Sequence, residues 1–160
     1  MKKKAIYPGS FDPFTLGHMD IVQRALKIFD HIYIAIGENT HKTPLFSCSE
    51  RKKQIEKIFD DDPRVSVVVF DSLLVNLARD LKVYTVVRGL RAVSDFETEF
   101  QMASINRALE PELESMFFMT SDKFSFLSSS VVKEIASMNN EDLSLFVTDN
   151  VRKDLIKKFK

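Results

Sequence analysis

Hydrophobic positions along this chain follow two periods that alternate from one end to the other. Short and nearly continuous apolar runs, rich in β-branched and aromatic residues, predict buried parallel strands at 4–7, 32–37, 65–70, 83–88 and 115–119. Apolar residues at helical spacing between these runs predict helices near 15–29, 48–59, 73–81, 95–109, 129–138 and 149–159. The alternation predicts an α/β fold: a doubly wound sheet of five parallel strands with helices on both faces, in a single domain spanning 1–160.

Three positions carry the signal of a helix start. Thr15 is expected to cap the first helix, because its hydroxyl can accept a hydrogen bond from the first turn. Ser47 precedes Glu50, and Ser94 precedes Glu97, by the three residues that define a capping box. We therefore expect a helix to begin directly after each of the three.

Polar residues collect where the predicted strands end. In a Rossmann-like sheet, ligands bind beyond the carboxyl ends of the strands, at the point where the strand order reverses. The sequence therefore predicts a ligand site on this edge of the sheet. The polar residues concerned are Ser10, Lys42, Asp71, Ser72, Arg88, Arg91 and the serines of 125–130.

The loop between the first strand and the first helix, residues 8–15, has the features of an anion site. Pro8 is expected to end the strand, since it has no N–H for a central ladder, and Gly9 to turn the backbone sharply. The first turn of the next helix, which contains His18, offers unpaired N–H groups and the positive end of the helix dipole. His18 also borders the apolar face of its helix, so a purely structural histidine is the alternative.

Three cations follow predicted strands on the same edge. Arg88 and Arg91 flank a glycine at the end of the fourth strand, and two guanidinium groups there suit a polyphosphate. The alternative for these arginines is salt bridges to Asp95 or Glu97. Lys42, after the second strand, is either a solvated loop charge or a point charge on phosphate oxygens.

Three consecutive serines, 128–130, open the helix predicted at 129–138. Their hydroxyls and the free N–H groups of the helix start are expected to point at one anion, which makes a second phosphate site. An ordinary helix start is the alternative. A second helix N-terminus at the same edge of the sheet favours phosphate binding.

Composition narrows the class of partner. Hydrophobic residues make up 44% of the chain, charged residues 29%, and the formal net charge is 0, which is typical of soluble globular proteins and argues against nucleic acid. Cys48 is the only cysteine, so no intrachain disulfide can form and a reducing compartment is favoured.

No apolar run has the length of a membrane span, so we expect a cytoplasmic protein without a membrane partner. One cysteine and scattered histidines predict no zinc site.

Two groups of motifs resemble a known family. Thr-x-Gly-His at 15–18, after Gly-Ser-Phe-Asp-Pro at 9–13, resembles the signature of the nucleotidyltransferase superfamily, whose members carry a (His or Thr)-x-Gly-His motif. Arg-Gly-Leu-Arg at 88–91 and Ser-Ser-Ser-x-Val-Lys-Glu at 128–134 narrow the resemblance to the bacterial phosphopantetheine adenylyltransferases. The resemblance runs the whole length of the chain.

This resemblance implies an enzyme that transfers the adenylyl group of ATP to 4′-phosphopantetheine and gives dephospho-coenzyme A and pyrophosphate, a step of coenzyme A biosynthesis. His18 is then the residue that stabilises the transition state, and Lys42 and Arg91 are further catalytic cations. The positions that match acceptor-binding residues are Ser10, Lys42, Leu74 and Arg88. The positions that match ATP-binding residues are Ser10, Phe11, His18, Gly89, Leu90, Arg91, Glu99, Phe124, Ser125, Phe126, Leu127, Ser128, Ser129 and Ser130.

The same resemblance implies Mg²⁺ bound mainly through ATP phosphates and water, a homohexamer, and coenzyme A as a feedback inhibitor. The expected reaction is direct in-line attack of the acceptor phosphate on the α-phosphorus of ATP, with no covalent enzyme intermediate. Thr98 departs from the family, in which many members have Tyr at this position. The departure bears on aromatic stacking and on a product-feedback contact at this position, and not on the chemistry.

Three alternatives share parts of this pattern. A sister nucleotidyltransferase acting on nicotinate mononucleotide or glycerol phosphate has the same chemistry, but residues 88–91 favour the pantetheine branch. A non-catalytic nucleotide-sensing module has the same phosphate site. A fragment related to the class I tRNA synthetases shares the His-containing signature, but the neutral net charge disfavours it.

Overall fold

Five parallel strands form one sheet in the structure, a computed structural model that describes residues 2–38, 43–60, 62–138 and 142–160. The strands are β1 (Lys4–Gly9), β2 (His31–Gly37), β3 (Val65–Phe70), β4 (Thr85–Leu90) and β5 (Glu114–Met119). Their order across the sheet is β3-β2-β1-β4-β5, and each neighbouring pair is parallel. The predicted doubly wound sheet of five strands is confirmed.

Helices connect the strands and close the chain. Within the described residues they are α1 (Leu16–Ala25), α2 (Cys48–Ile58), α3 (Leu74–Leu81), α4 (Val93–Leu109), α5 (Ser129–Ser137) and α6 (Asp149–Phe159). A single 3₁₀ turn, Asp122–Phe124, lies between β5 and α5. None of the described helices has both the length and the apolar character needed to cross a bilayer.

The sheet is covered on both faces, because successive side chains of a strand point to opposite sides. In β1, Ala5 and Tyr7 pack with residues of α1 and α2, whereas Ile6 packs with Ala78 of α3. A third buried cluster joins α5 and α6 to Phe46, in the segment that leads into α2. Helices on both faces are therefore confirmed.

Strand β1 continues through Pro8, so the prediction that Pro8 ends it is wrong. Each residue of a parallel strand directs its N–H to one neighbour only. In the described part of the chain, the register of β1 with β4 consists of one pair, Ile6 with Val86, so the N–H that Pro8 lacks is not needed for that ladder. The Pro8 carbonyl instead accepts a hydrogen bond from the Arg88 guanidinium at 2.5 Å.

The start of β4 also differs from the prediction. The strand begins at Thr85 and not at Val83. Lys82 adopts the left-handed conformation, with φ of 52°, and Val83 N donates to Ala78 O at 3.0 Å. Lys82 and Val83 thus form the C-terminal cap of α3. Val83 is therefore not part of the strand to which the apolar pattern assigned it.

The predicted caps of α1 and α2 are confirmed, and the third predicted cap is wrong. Helix α4 begins at Val93, so Ser94 lies inside the helix. Asp95 takes part in the helix start, since its carboxylate accepts a hydrogen bond from Arg91 N at 3.1 Å. An acidic side chain in the first turn thus bonds the backbone that leads into the helix, at the positive end of the helix dipole.

Candidate active site

The crevice of interest lies where the strand order reverses. β1 connects onward to β2 and β4 to β5, so the two central strands send their connections to opposite sides. A cavity of about 260 Å³ lies at their carboxyl ends, the place expected for a ligand in such a sheet. The predicted site residues that line it are Ser10, Phe11, His18, Arg88, Gly89, Arg91, Glu99, Phe124, Leu127, Ser128 and Ser129.

The remaining predicted site residues are placed elsewhere. Leu74 lines a second cavity that adjoins the first. Leu90 is buried at the end of β4. Lys42 lies outside the described residues, so its predicted role stays a prediction. Three more predicted residues are exposed and do not line the first cavity: Ser125, Phe126 and Ser130.

Phe11, and not Gly9, makes the turn after β1. Phe11 has φ of 49°, in the left-handed region, whereas Gly9 is the last residue of the strand. Gly9 is needed for a different reason, because a Cβ at this position would lie 2.8 Å from Phe11 Cζ. The absent side chain lets the Phe11 ring pack over the strand end, where it meets the Tyr7 ring edge-on with centroids 5.3 Å apart.

Thr15 and His18 cap the N-terminus of α1 reciprocally. Thr15 Oγ1 accepts a hydrogen bond from His18 N at 3.3 Å, and His18 Nδ1 accepts one from Thr15 N at 3.0 Å. Because a backbone N–H is always a donor, this bond assigns the hydrogen of the neutral ring to Nε2. Nε2 is therefore a donor on the side of the ring away from the cap.

The imidazole of His18 is neutral at physiological pH. Its pKa is lowered from 6.5 to about 3, chiefly by burial and further by the positive charges of Arg88 and Arg91. The rings of Phe11 and Phe14 pack on it, with centroids 5.1 and 5.3 Å from its own. The structural and the functional interpretations of His18 are compatible, since Nδ1 serves the helix and Nε2 remains a donor.

Arg88 is held in a fixed orientation at the end of β4. Its Nε and Nη2 donate to the two carboxylate oxygens of Glu99 at 2.8 and 2.5 Å. Burial acts to lower the pKa of Arg88, but the hydrogen bonds and negative charge of Glu99 outweigh it, and the pKa is raised. An ion pair was an alternative for this arginine, but its partner is Glu99 and not Glu97.

Arg91 forms the other predicted ion pair, with Asp95. Arg91 Nε donates to Asp95 Oδ2 at 3.1 Å, and Arg91 Nη1 donates to Leu127 O at 3.3 Å. Burial acts to raise the pKa of Asp95, but the hydrogen bonds from Arg91 outweigh it and the pKa is lowered. The Arg91 side chain stays 40% exposed and lines the same cavity as His18. Ion pairing thus orients both arginines without removing them from the cavity.

Two helix N-termini open on this cavity. Of the residues that line it, Gly17 and Ser129 have N–H groups with no acceptor among the described residues. Ser128 Oγ accepts an N–H of its own helix, and Ser129 Oγ donates to Pro13 O at 2.8 Å. The prediction that the serine hydroxyls point at an anion is therefore wrong for Ser129, because that hydroxyl bonds the first loop. Backbone N–H groups supply the donors instead.

A second cavity of about 380 Å³ adjoins the first, between α3 and α4. Apolar side chains such as Phe70, Leu74 and Met102 form much of its wall. Arg88 and Glu99 line both cavities, so their ion pair borders each of them. The site thus combines a polar compartment and an apolar one.

Sequence reasoning left several lining residues of the polar cavity out of the predicted site, among them Tyr7, Ile21 and Thr120. Burial raises the pKa of the Tyr7 hydroxyl, which therefore stays protonated. Thr120 directly follows β5, and its N–H donates to Leu90 O at 2.9 Å. The position of Thr120 at a strand end was an available signal, whereas the apolar pattern of β1 placed Tyr7 in the core.

The described residues do not fit a metal ion bound directly by the protein. Among them, no group of three or more His, Cys, Asp and Glu side chains is placed to hold such an ion. The carboxylates that line the polar cavity, Asp95 and Glu99, are each paired with an arginine.

The family match and the similar proteins are all nucleotidyltransferases. A family described as cytidylyltransferase-like matches residues 6–135. The chain is 50% identical over 159 residues to the phosphopantetheine adenylyltransferase of Methylococcus capsulatus, covering 99% of this chain and 98% of that protein. It is 53% identical over 137 residues to the protein of the same name from Rubrobacter xylanophilus, covering 86% and 84%.

Solved structures share the fold at much lower identity. The nicotinic acid mononucleotide adenylyltransferase of Plasmodium falciparum, complexed with NaAD, matches with a TM-score of 0.71 at 15% identity, over 99% of this chain and 96% of that one. The bifunctional NMN adenylyltransferase/ADP ribose pyrophosphatase of Francisella tularensis matches with a TM-score of 0.73 at 16% identity, over 98% and 49%. The match to the family and the identity of about half of the residues to these relatives show that this chain belongs to the phosphopantetheine adenylyltransferase family.

Proposed function

We propose that this chain transfers the adenylyl group of ATP to 4′-phosphopantetheine, giving dephospho-coenzyme A and pyrophosphate. The observation that carries the proposal is the pair of adjoining cavities that share Arg88 and Glu99. The polar cavity between two helix N-termini suits a triphosphate, whereas the apolar cavity suits the uncharged arm of the acceptor. The relatives with half their residues identical carry the name of this activity.

ATP occupies the polar cavity in this proposal. The free N–H groups of Gly17 and Ser129 bind phosphate oxygens at the positive ends of two helix dipoles. Arg91 adds a cation that Asp95 already orients. The loop 124–130 and Glu99 complete the surroundings of the nucleotide.

The acceptor occupies the apolar cavity, with its phosphate at the boundary between the two. Leu74 contacts the pantetheine arm, and Ser10, Lys42 and Arg88 bind the phosphate. Support comes from the position of Arg88, which borders both cavities and keeps its charge because Glu99 raises its pKa. A guanidinium at this boundary can hold the acceptor phosphate next to the α-phosphorus of ATP.

The reaction is an in-line displacement. An oxygen of the 4′-phosphate attacks the α-phosphorus of ATP. The bond between that phosphorus and the oxygen that bridges the α- and β-phosphates breaks, and pyrophosphate leaves with the electron pair of this bond. The 4′-phosphate of the acceptor is mostly a dianion at neutral pH, so no general base is needed to deprotonate it before the attack. Catalysis then consists of positioning and of donors directed at growing negative charge.

His18 contributes a neutral donor to this reaction. The low pKa of its ring and the hydrogen bond at Nδ1 support a hydrogen on Nε2, which donates to an α-phosphate oxygen in the transition state. The donor is oriented before substrate arrives, because Thr15 holds the other ring nitrogen. Lys42 and Arg91 add positive charge that stabilises the transferring phosphate.

Mg²⁺ belongs to the same proposal as a ligand of ATP. It is bound mainly by phosphate oxygens and water, because the carboxylates of the polar cavity are paired with arginines. When bound, it supplies neutralisation of phosphate charge.

We also propose that the protein is a homohexamer in the cytoplasm and that coenzyme A inhibits it. Helix α4 exposes five large apolar side chains in the single chain. Met102, Ile105 and Leu109 also line the apolar cavity, and a second copy is the simplest cover for the other two. Coenzyme A contains both the adenylyl and the pantetheine parts of the product, so it competes for the same two cavities. The exposed residues, 45–59% accessible, are Phe96, Phe100, Met102, Ile105 and Leu109.

The proposal is tested by incubating the protein with MgATP and 4′-phosphopantetheine and following dephospho-coenzyme A and pyrophosphate. Equal amounts of the two products are expected. Nicotinate mononucleotide and glycerol phosphate serve as competing acceptors, and faster turnover of either would assign the chain to a sister activity. ATP that binds and is not consumed with any acceptor would support the nucleotide-sensing alternative.

A further inference from the structure

Two charged residues of the sequence motifs have no part in the reaction described above. They are Asp12, in the loop after β1, and Lys133, in α5. They meet in the folded chain, where Lys133 Nζ lies 3.0 Å from Asp12 Oδ2. The side chain of Asp12 is 8% exposed and that of Lys133 is 33% exposed. Neither residue lines the polar or the apolar cavity.

The Asp12 carboxylate also holds the segment that leads into α2. Leu45 N donates to Oδ2 and Phe46 N donates to Oδ1, each at 2.9 Å. Arg51 of α2 strengthens the same junction, since its Nη1 donates to Ser10 O at 2.6 Å and its Nε to Phe46 O at 3.0 Å. One nearly buried carboxylate therefore joins the first loop to two other parts of the chain.

The N-terminus of α5 is tied to the first loop at two neighbouring points. One is the Asp12–Lys133 ion pair, and the other is the hydrogen bond from Ser129 Oγ to Pro13 O at 2.8 Å. The first loop leads directly into α1, whose Gly17 N–H opens on the polar cavity together with that of Ser129. Residues 12 and 13 are thus the points of the first loop to which the N-terminal part of α5 is bonded.

We propose that the Asp12–Lys133 ion pair is a positioning device that sets the separation of the two helix N-termini around the triphosphate of ATP. This inference rests on the proposed function. Without the ammonium, the carboxylate loses its ion-pair partner in a site nearly closed to water, and the loop or α5 must shift to hydrate it. A displacement of about 1 Å in groups that align substrates costs on the order of a hundredfold in rate.

The test measures KM and kcat of the full-length protein with each substrate varied in turn. We expect Lys133→Met to raise KM for ATP and to lower kcat, each by roughly tenfold or more. KM for 4′-phosphopantetheine should change by less than KM for ATP, because the apolar cavity that receives its arm lies between α3 and α4 and is not lined by any residue of α5. Lys133→Arg keeps the cation and should recover most of the affinity for ATP.

Lys158→Met is the matched control. Lys158 Nζ lies 3.0 Å from Glu50 Oε1, and the lysine side chain is 35% exposed, so both values are close to those of the Asp12–Lys133 pair. Lys158 also lies over the ring of Phe46, 5.4 Å from its centroid, but it does not bond Asp12. Its removal should leave the kinetic constants for ATP and for the acceptor near those of the wild type.

The outcomes separate the two proposals. A wild-type protein without adenylyl transfer contradicts the proposed function. If the wild type is active, the positioning role is overturned when Lys133→Met and Lys158→Met have the same kinetic constants, or when Lys133→Met changes KM for both substrates equally. It is also overturned if KM for ATP is as high in Lys133→Arg as in Lys133→Met. If Lys133→Met melts below the assay temperature, Asp12→Asn, which keeps the volume and loses the ion pair, must show the same selective loss for ATP.

Discussion

Thr15 and His18 complete each other's hydrogen bonds at the start of α1, and this contact decides the chemistry of the imidazole. Thr15 N donates to His18 Nδ1 at 3.0 Å, so the remaining nitrogen carries the hydrogen. Burial and two nearby arginines keep the ring neutral, with a pKa of about 3. His18 is thus a helix cap and an oriented neutral donor at once.

The two roles of His18 are separable by substitution. His18→Ala should lower kcat by a factor on the order of 10²–10³, the usual cost of a deleted transition-state donor, and should also destabilise α1. His18→Gln restores a residue typical of the third position of a capping box, so thermal stability should recover while most of the activity stays lost. Initial rates and melting curves of both variants check this. Recovery of kcat in His18→Gln would show that only the cap matters.

Acid should destabilise the protein through His18. The pKa of this ring is about 3 in the folded chain and about 6.5 when unfolded, so below pH 6.5 the unfolded state binds a proton that the folded state does not. The free energy of unfolding therefore falls as pH falls from 6.5 towards 3. Between pH 6.5 and 5 the fall from this group is on the order of 1–2 kcal/mol. Urea unfolding at pH 6.5 and at pH 5 measures this fall, with His18→Gln as the control. An equal fall in the free energy of unfolding of the variant would show that His18 is not its cause.

Glu99 should act on the acceptor through Arg88. Glu99→Gln removes the charge that holds the guanidinium in both cavities, so kcat/KM for 4′-phosphopantetheine should fall by roughly tenfold. Glu97→Gln is the matched control, since Glu97 is exposed on the same helix two residues away. Steady-state kinetics of the two variants decide the point. Equal effects would mean that the charge of α4, and not this pair, matters.

Gly9→Ala should destabilise the protein by about 1–3 kcal/mol, because the new Cβ would overlap the ring of Phe11 at 2.8 Å. Gly37→Ala is the control in the neighbouring strand, where the nearest atom to a Cβ is Phe70 Cζ at 3.4 Å. Its free energy of unfolding should change by less than about 0.5 kcal/mol. Denaturant unfolding of both variants measures the difference. A Gly9→Ala protein as stable as the control would contradict the packing of Phe11.

Phe100→Glu should dissociate the proposed homohexamer, because it places a charge in the middle of the apolar surface of α4. Leu145→Glu changes another exposed apolar residue, outside α4, and should leave the assembly intact. Light scattering of the wild type and both variants reports the mass. A wild type that is monomeric would contradict the assembly, and a hexameric Phe100→Glu would place the interface elsewhere.

The fold was largely predictable because its signals are local. The strand runs, the helical spacing and the capping residues lie within a few positions of each other, and the order of the elements limits the sheet topology. The errors at Pro8, Val83 and Ser94 concern the boundaries of elements. Val83 belongs to the C-terminal cap of α3 and Ser94 to the first turn of α4, whereas Pro8 lies beyond the one registered pair of β1 with β4.

The sequence by itself determined the alternation of strands and helices, the edge of the sheet that binds ligands, and the residue types gathered there. Only the tertiary structure decided which partner each of these residues takes. Arg88 bonds Glu99, Lys133 bonds Asp12 across 121 residues of chain, and His18 loses its charge. The physical reason is that hydrogen bonding, ion pairing and burial depend on distance in space, whereas periodicity and motifs record only distance along the chain.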